Sequence, residues 1–251
     1  MIDYGLQGKV AMVTGAGGGI GRASALVFAR SGASVLVSDV HDDHGEETAA
    51  LIREKGGTAV YQRCDVSDPA QVKAMVAAAV DRFGRLDCAF NNAGINSVTL
   101  DEYDDAVWAR ALSVNLTGVM LCMREAAEVM LKQGGGAIVN TALINGVVGN
   151  PGQPAYTAAK HGVVGLTRHA ALRWAKDGIR VNAVCPGVID TPMSAQAAAD
   201  PQIRAMIESM TPMGRMGRAE EIAEAAVWLC SDAASFITGH PLLIDGGVTA
   251  V

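Results

Sequence analysis

Short apolar runs rich in β-branched residues alternate with longer segments whose apolar positions recur every three or four residues, almost to the C-terminus. Runs of the first kind suit strands covered on both faces, and segments of the second kind suit helices packed along one side, so the chain reads as α/β. The pattern predicts strands at 9–13, 34–38, 58–62, 86–90, 137–140, 180–184 and 242–244. It predicts helices at 20–31, 43–55, 69–83, 114–131, 155–176 and 219–231. Asp68-Pro69 supplies an N-cap and a first-turn proline, while Gly32, Gly56, Gly84 and Gly178 follow helices as stops. Seven strands with helices between them imply a doubly wound, mostly parallel sheet in a single domain over 1–251. Residues 186–216, rich in Pro, Met, Gly and Ala, break the rhythm and are expected to form a long substrate-binding loop or lid.

Composition narrows the class. Half of the 251 residues are hydrophobic and 18% are charged, which excludes a disordered chain. The net charge is −6, without any run of like charges, so nucleic acid is not an expected partner. Apolar stretches are interrupted by glycine or charge before the roughly 20 residues that a membrane crossing needs, and no membrane partner is expected. The first eight residues lack a secretory pattern, and Cys64, Cys88, Cys122, Cys185 and Cys230 form no Cys-x-x-Cys pair. Both observations point to a cytoplasmic protein with reduced cysteines and no metal site.

Glycine, at 29 residues, is in excess and needs local reasons. The first predicted strand runs into Thr14-Gly15-Ala16-Gly17-Gly18-Gly19-Ile20-Gly21, which opens a helix. Glycines let backbone amides approach a pyrophosphate, and the helix N-terminus adds partial positive charge. Asp39 ends the second strand 24 residues after Gly15. An acid there accepts hydrogen bonds from the adenosine ribose hydroxyls and repels a 2′-phosphate, which favours NAD over NADP. No arginine or lysine follows along the chain before Arg53, in keeping with that choice. Tyr156 and Lys160 lie one helical turn apart on one face, and an ammonium there is expected to lower the phenol pKa so that Tyr156 exchanges a proton with a substrate oxygen.

The ordered motifs resemble the short-chain dehydrogenases/reductases over essentially the whole chain. Thr14-Gly-x-x-x-Gly-x-Gly21 is followed by Asp65, Asn91-Asn92-Ala93-Gly94, Asn115, Tyr156-x-x-x-Lys160, Pro186-Gly187 and Asp245-Gly246-Gly247. The resemblance implies a Rossmann-type fold. It implies cofactor contacts from Gly15, Gly17, Gly18, Gly19, Ile20 and Gly21, from Asp39 and Val40, and from Asp65 and Val66 at the adenine. Asn92, Ala93 and Gly94 would line the adenosine ribose side. Pro186 and Gly187 would contact the cofactor at the cleft wall, Val188, Ile189 and Thr191 would hold the nicotinamide carboxamide, Lys160 would bond the nicotinamide ribose beside Tyr156, and Asn115 would support a water linking Lys160 to solvent. The implied activity is interconversion of a secondary alcohol and a ketone, and the implied assembly is a homotetramer.

One position departs from that pattern. The family's serine, thirteen residues before the tyrosine, falls on Leu143, which has no donor. Asn145, expected past the strand end and facing the cleft, is the preferred substitute, with Thr141 the other candidate. Losing one donor to a developing oxyanion costs roughly 3 kcal/mol, which attenuates an enzyme without silencing it. The alternative reading is a dinucleotide-binding sensor or scaffold, impaired in catalysis by a natural or an engineered leucine. Met193, Ile203, Met206, Met210 and Met213 suggest an apolar alcohol or ketone as substrate.

Overall fold

The first strand, β1 (Val10–Thr14), is apolar on both faces, as a strand buried in the middle of an α/β sheet must be. Val10 and Met12 point into one core, while Ala11 and Val13 point into the other, because successive side chains of a strand leave opposite faces. In the computed structural model, which describes residues 3–97 and 101–250, β1 is joined by β2 (Ser34–Asp39), β3 (Thr58–Arg63), β4 (Cys88–Asn91), β5 (Gly136–Thr141), β6 (Ile179–Pro186) and β9 (Pro241–Ile244). These seven form one sheet in the order β3-β2-β1-β4-β5-β6-β9, parallel throughout. β7 (Ile189–Asp190) and β8 (Gly217–Arg218) make a separate two-stranded ribbon.

Helices cover both faces. α1 (Gly19–Arg30), α2 (Asp42–Glu54) and α9 (Ala219–Cys230) pack on one side through Phe28, Ile52 and Ile222. α3 (Pro69–Phe83), α5 (Val119–Gln133) and α6 (Pro154–Trp174) pack on the other through Met75, Met130 and Val163. The order of strands reverses between β1 and β4, so α1 and the segment after β4 leave in opposite directions and open a crevice at the C-terminal strand ends. The seven predicted strands are all present. The Asp68 carboxylate caps α3 by accepting from Ala70 N–H at 2.8 Å, and Gly84 ends that helix at φ +80°.

Two predicted elements need correction. Residues 186–216 are not a loop: besides β7 they hold α7 (Pro192–Ala198) and α8 (Pro201–Met210). Asp200 caps α8, accepting from Gln202 N–H at 2.8 Å, with Pro201 in the first turn. The acid-proline signal that marks α3 was thus present, and the density of methionine and alanine reads as irregular only if helical spacing is ignored. The helix predicted from 114 starts earlier, with α4 (Asp105–Leu112) capped by Asp104 and joined to α5 through a π-helical turn, Ser113–Gly118. The wider turn rotates Asn115 into the interior, where it is fully buried. By length and composition the helical run Asp105–Gln133 could cross a membrane, yet Leu121, Met123, Ala126 and Met130 lie in the core beneath the sheet.

Past the end of β5, Leu143 adopts φ +92° and ψ 163°, and it is the one non-glycine residue with positive φ among the described residues. Ala142 N–H on one side bonds the Val184 carbonyl at 2.9 Å, and the Leu143 carbonyl accepts from Gly146 N–H at 2.9 Å on the other. The flanking bonds hold a backbone that suits glycine, and such conformations cost side-chain-bearing residues about 1–3 kcal/mol. Leu143→Gly relieves that strain against a glycine entropy term of about 1 kcal/mol or less. Calorimetry is expected to show an unchanged or higher Tm, by up to about 4 °C; a clear drop in Tm would show that the leucine is unstrained.

Candidate active site

The turn after β1 is held by contacts that leave no room for side chains. A Cβ on Gly15 would lie 2.8 Å from the Ala93 Cα, one on Gly17 would lie 2.8 Å from Asp39 Oδ2, and one on Gly21 would run into the Gly15 carbonyl. Thr14 Oγ1 accepts from the N–H groups of Asn92 and Ala93 at 3.0 and 3.1 Å, which ties the end of β1 to the end of β4. Asn92 Nδ2 returns the link by donating to the Thr14 and Gly15 carbonyls at 3.1 and 3.3 Å. Beside this turn lies a cleft of about 450 Å³. Gly15, Gly17, Gly18, Gly19, Ile20, Asp39, Val40, Asp65, Val66, Asn92, Ala93, Gly94, Leu143, Tyr156, Lys160 and Thr191 all line it.

Asp39 is oriented by main chain alone. Gly17 N–H donates to Oδ2 at 2.8 Å and His41 N–H donates to Oδ1 at 3.0 Å, so each oxygen keeps capacity for a further donor. Glycine cradle, helix N-terminus and oriented acid together fit the pyrophosphate and adenosine ribose of a dinucleotide. In space, though not along the chain, a cation stands close by. Arg22 donates from Nη2 to the Gly17 carbonyl at 2.7 Å and from Nε to Thr48 Oγ1 at 2.9 Å, while pairing with Glu47. Asp65 is already engaged: Ser67 Oγ and N–H donate to it at 2.6 and 2.9 Å, and Arg110 Nη2 lies 3.6 Å away. Burial opposes ionisation of Asp65, and these partners outweigh it to lower its pKa.

Tyr156 and Lys160 enter from α6, and both are buried. Lys160 Nζ lies 5.3 Å from the Tyr156 ring centre and donates to the Thr141 carbonyl at 2.8 Å. Here the expected lowering of the phenol pKa is overturned in the protein alone. Burial pushes Tyr156 up to about 12 and Lys160 down to about 8, because each charged form loses its water. Asn115 stands behind Lys160: its Oδ1 accepts from Ile95 N–H at 2.9 Å and its Nδ2 donates to the Ile95 carbonyl at 3.0 Å. A Cβ on Gly94 would lie 3.0 Å from Asn115 Oδ1 and 3.8 Å from Lys160 Nζ, so the three residues form one packed group.

Other predicted residues sit elsewhere. Asn145 is buried away from the cleft, donating from Nδ2 to Gln153 Oε1 at 3.4 Å, because the turn at Leu143 and the following 3-10 turn swing it off the cleft wall. Gly187, Val188 and Ile189 line a separate cavity of about 90 Å³ with Thr211 and Asp245, and Pro186 is buried at the end of β6. Asn91 braces strand ends, donating to Asn140 Oδ1 at 2.9 Å. The cleft wall also includes His41, His44, Ile95, Arg110, Val114, Pro192 and Met193. Arg110 and Pro192 have no counterpart in the sequence reading because they belong to α4 and α7, whereas Met193 is one of the methionines expected at the substrate.

The buried ammonium of Lys160 has a stability cost. A depression from 10.5 to about 8 corresponds to about 3 kcal/mol at neutral pH, at 1.4 kcal/mol per unit. The sign follows from proton binding: the folded state holds fewer protons than the unfolded chain between pH 8 and 10.5, so this cost fades as pH rises through that window. Lys160→Met is therefore expected to raise Tm at pH 7 and to shrink its advantage by pH 10, as read by thermal melts at both pH values.

The family model described as enoyl-(acyl carrier protein) reductase matches residues 15–249. The chain is 46% identical to 2,5-dichloro-2,5-cyclohexadiene-1,4-diol dehydrogenase of Sphingobium indicum, over 98% of this chain and 99% of the relative. It is also 46% identical to cis-4-hydroxycyclohexanecarboxylate dehydrogenase of Sinomonas cyclohexanicum, over 97% of each. The crystal structure of levodione reductase superposes with a TM-score of 0.93 at 39% identity, covering 98% of this chain and 99% of that one. With the seven-stranded parallel sheet and the cleft at its switch point, these likenesses make the chain an oxidoreductase that interconverts secondary alcohols and ketones with a nicotinamide cofactor, and a member of the short-chain dehydrogenase/reductase family.

Proposed function

We propose that the chain is an NAD-dependent dehydrogenase of cyclic secondary alcohols, and that Tyr156 exchanges the proton. The observation that carries the reading is that Tyr156 and Lys160 open on the same cleft as the glycine turn and Asp39. Bound NAD supplies the hydride acceptor. Glycines 15, 17 and 19 cradle its pyrophosphate, and the free capacity of the Asp39 oxygens receives the ribose hydroxyls while the charge repels a 2′-phosphate. Tyr156 would give its proton to a ketone oxygen or take one from an alcohol, and the Lys160 ammonium, 5.3 Å from the Tyr156 ring centre, would favour the tyrosinate electrostatically. Asn115 fixes the Ile95 backbone behind Lys160 and so keeps the ammonium at the cleft.

The substrate class follows from lining and likeness. Ile95, Val114, Leu143 and Met193 give the cleft apolar walls, and the two relatives are named for six-membered carbocyclic alcohols. A ring alcohol suits both. Pro192 and Met193 of α7 line the cleft, and the exposed apolar side chains Ile203, Met206 and Met210 of α8 would extend that helix pair as a cover over a bound substrate. Exposed Leu172 and Phe236, with Leu243 on the edge strand, support a homotetramer. Five free cysteines suit the reducing cytoplasm.

With cyclohexanol and NAD as probes, Tyr156→Phe is expected to lower kcat by about 10²–10⁴-fold while NADH binding, followed by fluorescence, persists. Retained turnover in that variant would refute the assignment of Tyr156. Because burial holds the phenol protonated toward pH 12, oxidation needs the minor tyrosinate and is expected to speed up with rising pH from 6 to 8, with a shallower rise above about 8, where Lys160 loses its charge. Reduction of cyclohexanone, which needs the protonated phenol, is expected to stay level or fall. Asp39→Ser removes the repelling charge beside Arg22, so its ratio of kcat/KM for NADP to that for NAD is expected to rise at least about tenfold, the equivalent of 1.4 kcal/mol.

A further inference from the structure

Reduction of a ketone builds negative charge on the substrate oxygen, and Tyr156 is surrendering its proton at that moment. A second donor aimed at the same oxygen is worth a factor of about 10²–10³ in rate. Leu143, half-buried on the cleft wall, offers none. Asn145 and Gln153 bond each other away from the cleft. Of the polar groups that do line it, Asn92 Nδ2 already donates to two carbonyls, and Thr191 Oγ1 lies among Ile189 O and Ser194 Oγ at the mouth of α7.

Thr141 is different. Thr141 lines the cleft together with Tyr156, Lys160 and Leu143, it is buried, and its hydroxyl reaches toward another lining residue, Asn92. Its hydroxyl has one acceptor, Asn92 Oδ1, at 3.4 Å, a long bond that leaves the proton free to turn. Its backbone is fixed, because its carbonyl holds Lys160 Nζ at 2.8 Å and the next residue, Ala142, bonds β6.

We propose that the Thr141 hydroxyl is a catalytic hydrogen-bond donor to the substrate oxygen, supplying from β5 the contact that Leu143 lacks; the proposal rests on the dehydrogenase reading above. Thr141 keeps its proton throughout, and the proton that ends on the substrate oxygen comes from Tyr156. Because Lys160 is anchored by the Thr141 main chain, removing the hydroxyl leaves that anchor in place. The role of the side chain is therefore separable from the role of the backbone.

The test is a double-mutant cycle with cyclohexanol and NAD, reading kcat, KM and the Kd of NADH. Thr141→Val is expected to lower kcat by about 100-fold with NADH affinity within about twofold, while Thr141→Ser retains activity. Adding Leu143→Ser restores a donor at the neighbouring position, so Thr141→Val in that background is expected to cost less than about tenfold. Thr141→Ala repeats both arms should the valine variant be unstable. The proposal is overturned by an unchanged kcat in Thr141→Val, by an equal loss in both backgrounds, which marks a structural role, or by turnover that appears only once Leu143 is serine. A wild-type activity that survives Tyr156→Phe, or its absence from wild type and Leu143→Ser alike, would instead refute the underlying dehydrogenase reading.

Discussion

One hydroxyl holds the crevice open at its floor. Thr14 Oγ1 accepts two N–H groups from the start of the segment after β4, so the ends of two strands whose chains must depart in opposite directions stay in register. Around that pin the backbone of the glycine turn approaches Ala93 and Asp39 too closely for any Cβ. The cradle, the oriented acid and the walls beyond β4 all depend on this separation. Loss of it would displace the Asp39 carboxylate, which is aimed by the Gly17 and His41 amides rather than by any side-chain partner.

The opposite wall is built on a different principle. Lys160 is a fully buried cation with one direct acceptor, and Tyr156 beside it is a buried phenol, so burial disfavours the charge on each. A fold selected for stability alone would place apolar groups there. Leu143 adds backbone strain a few residues away, at the end of the strand that anchors Lys160. Strain and buried charge thus collect on the wall of one cleft, as expected when neighbouring structure over-determines a costly local arrangement.

Much of this was legible beforehand, and for physical reasons. Strand period and apolar runs located every strand of the main sheet, and the Asp68-Pro69 signal located the start of α3, because each reports local backbone energetics. Ordered motifs then marked Gly15, Asp39, Tyr156 and Lys160 as one site, and these residues do share a cleft. Residues 186–216 have the composition of a loop but fold as helices, and Asp200-Pro201 carries the same cap chemistry as the start of α3. Asn145 misled because simple alternation along an extended strand fails once Leu143 adopts positive φ.

Sequence by itself determined the class of fold, the glycine turn after β1, the acid that ends β2 and the presence of a side chain without a donor at Leu143, since each depends on residue type and spacing along the backbone. Only the tertiary structure decided that Arg22 stands near the Asp39 end, that Arg110 and Pro192 join the cleft, and that Thr141 rather than Asn145 lines it. It also decided the direction of the Tyr156 and Lys160 pKa shifts, because desolvation is set by everything packed around a group and not by its neighbour four residues away.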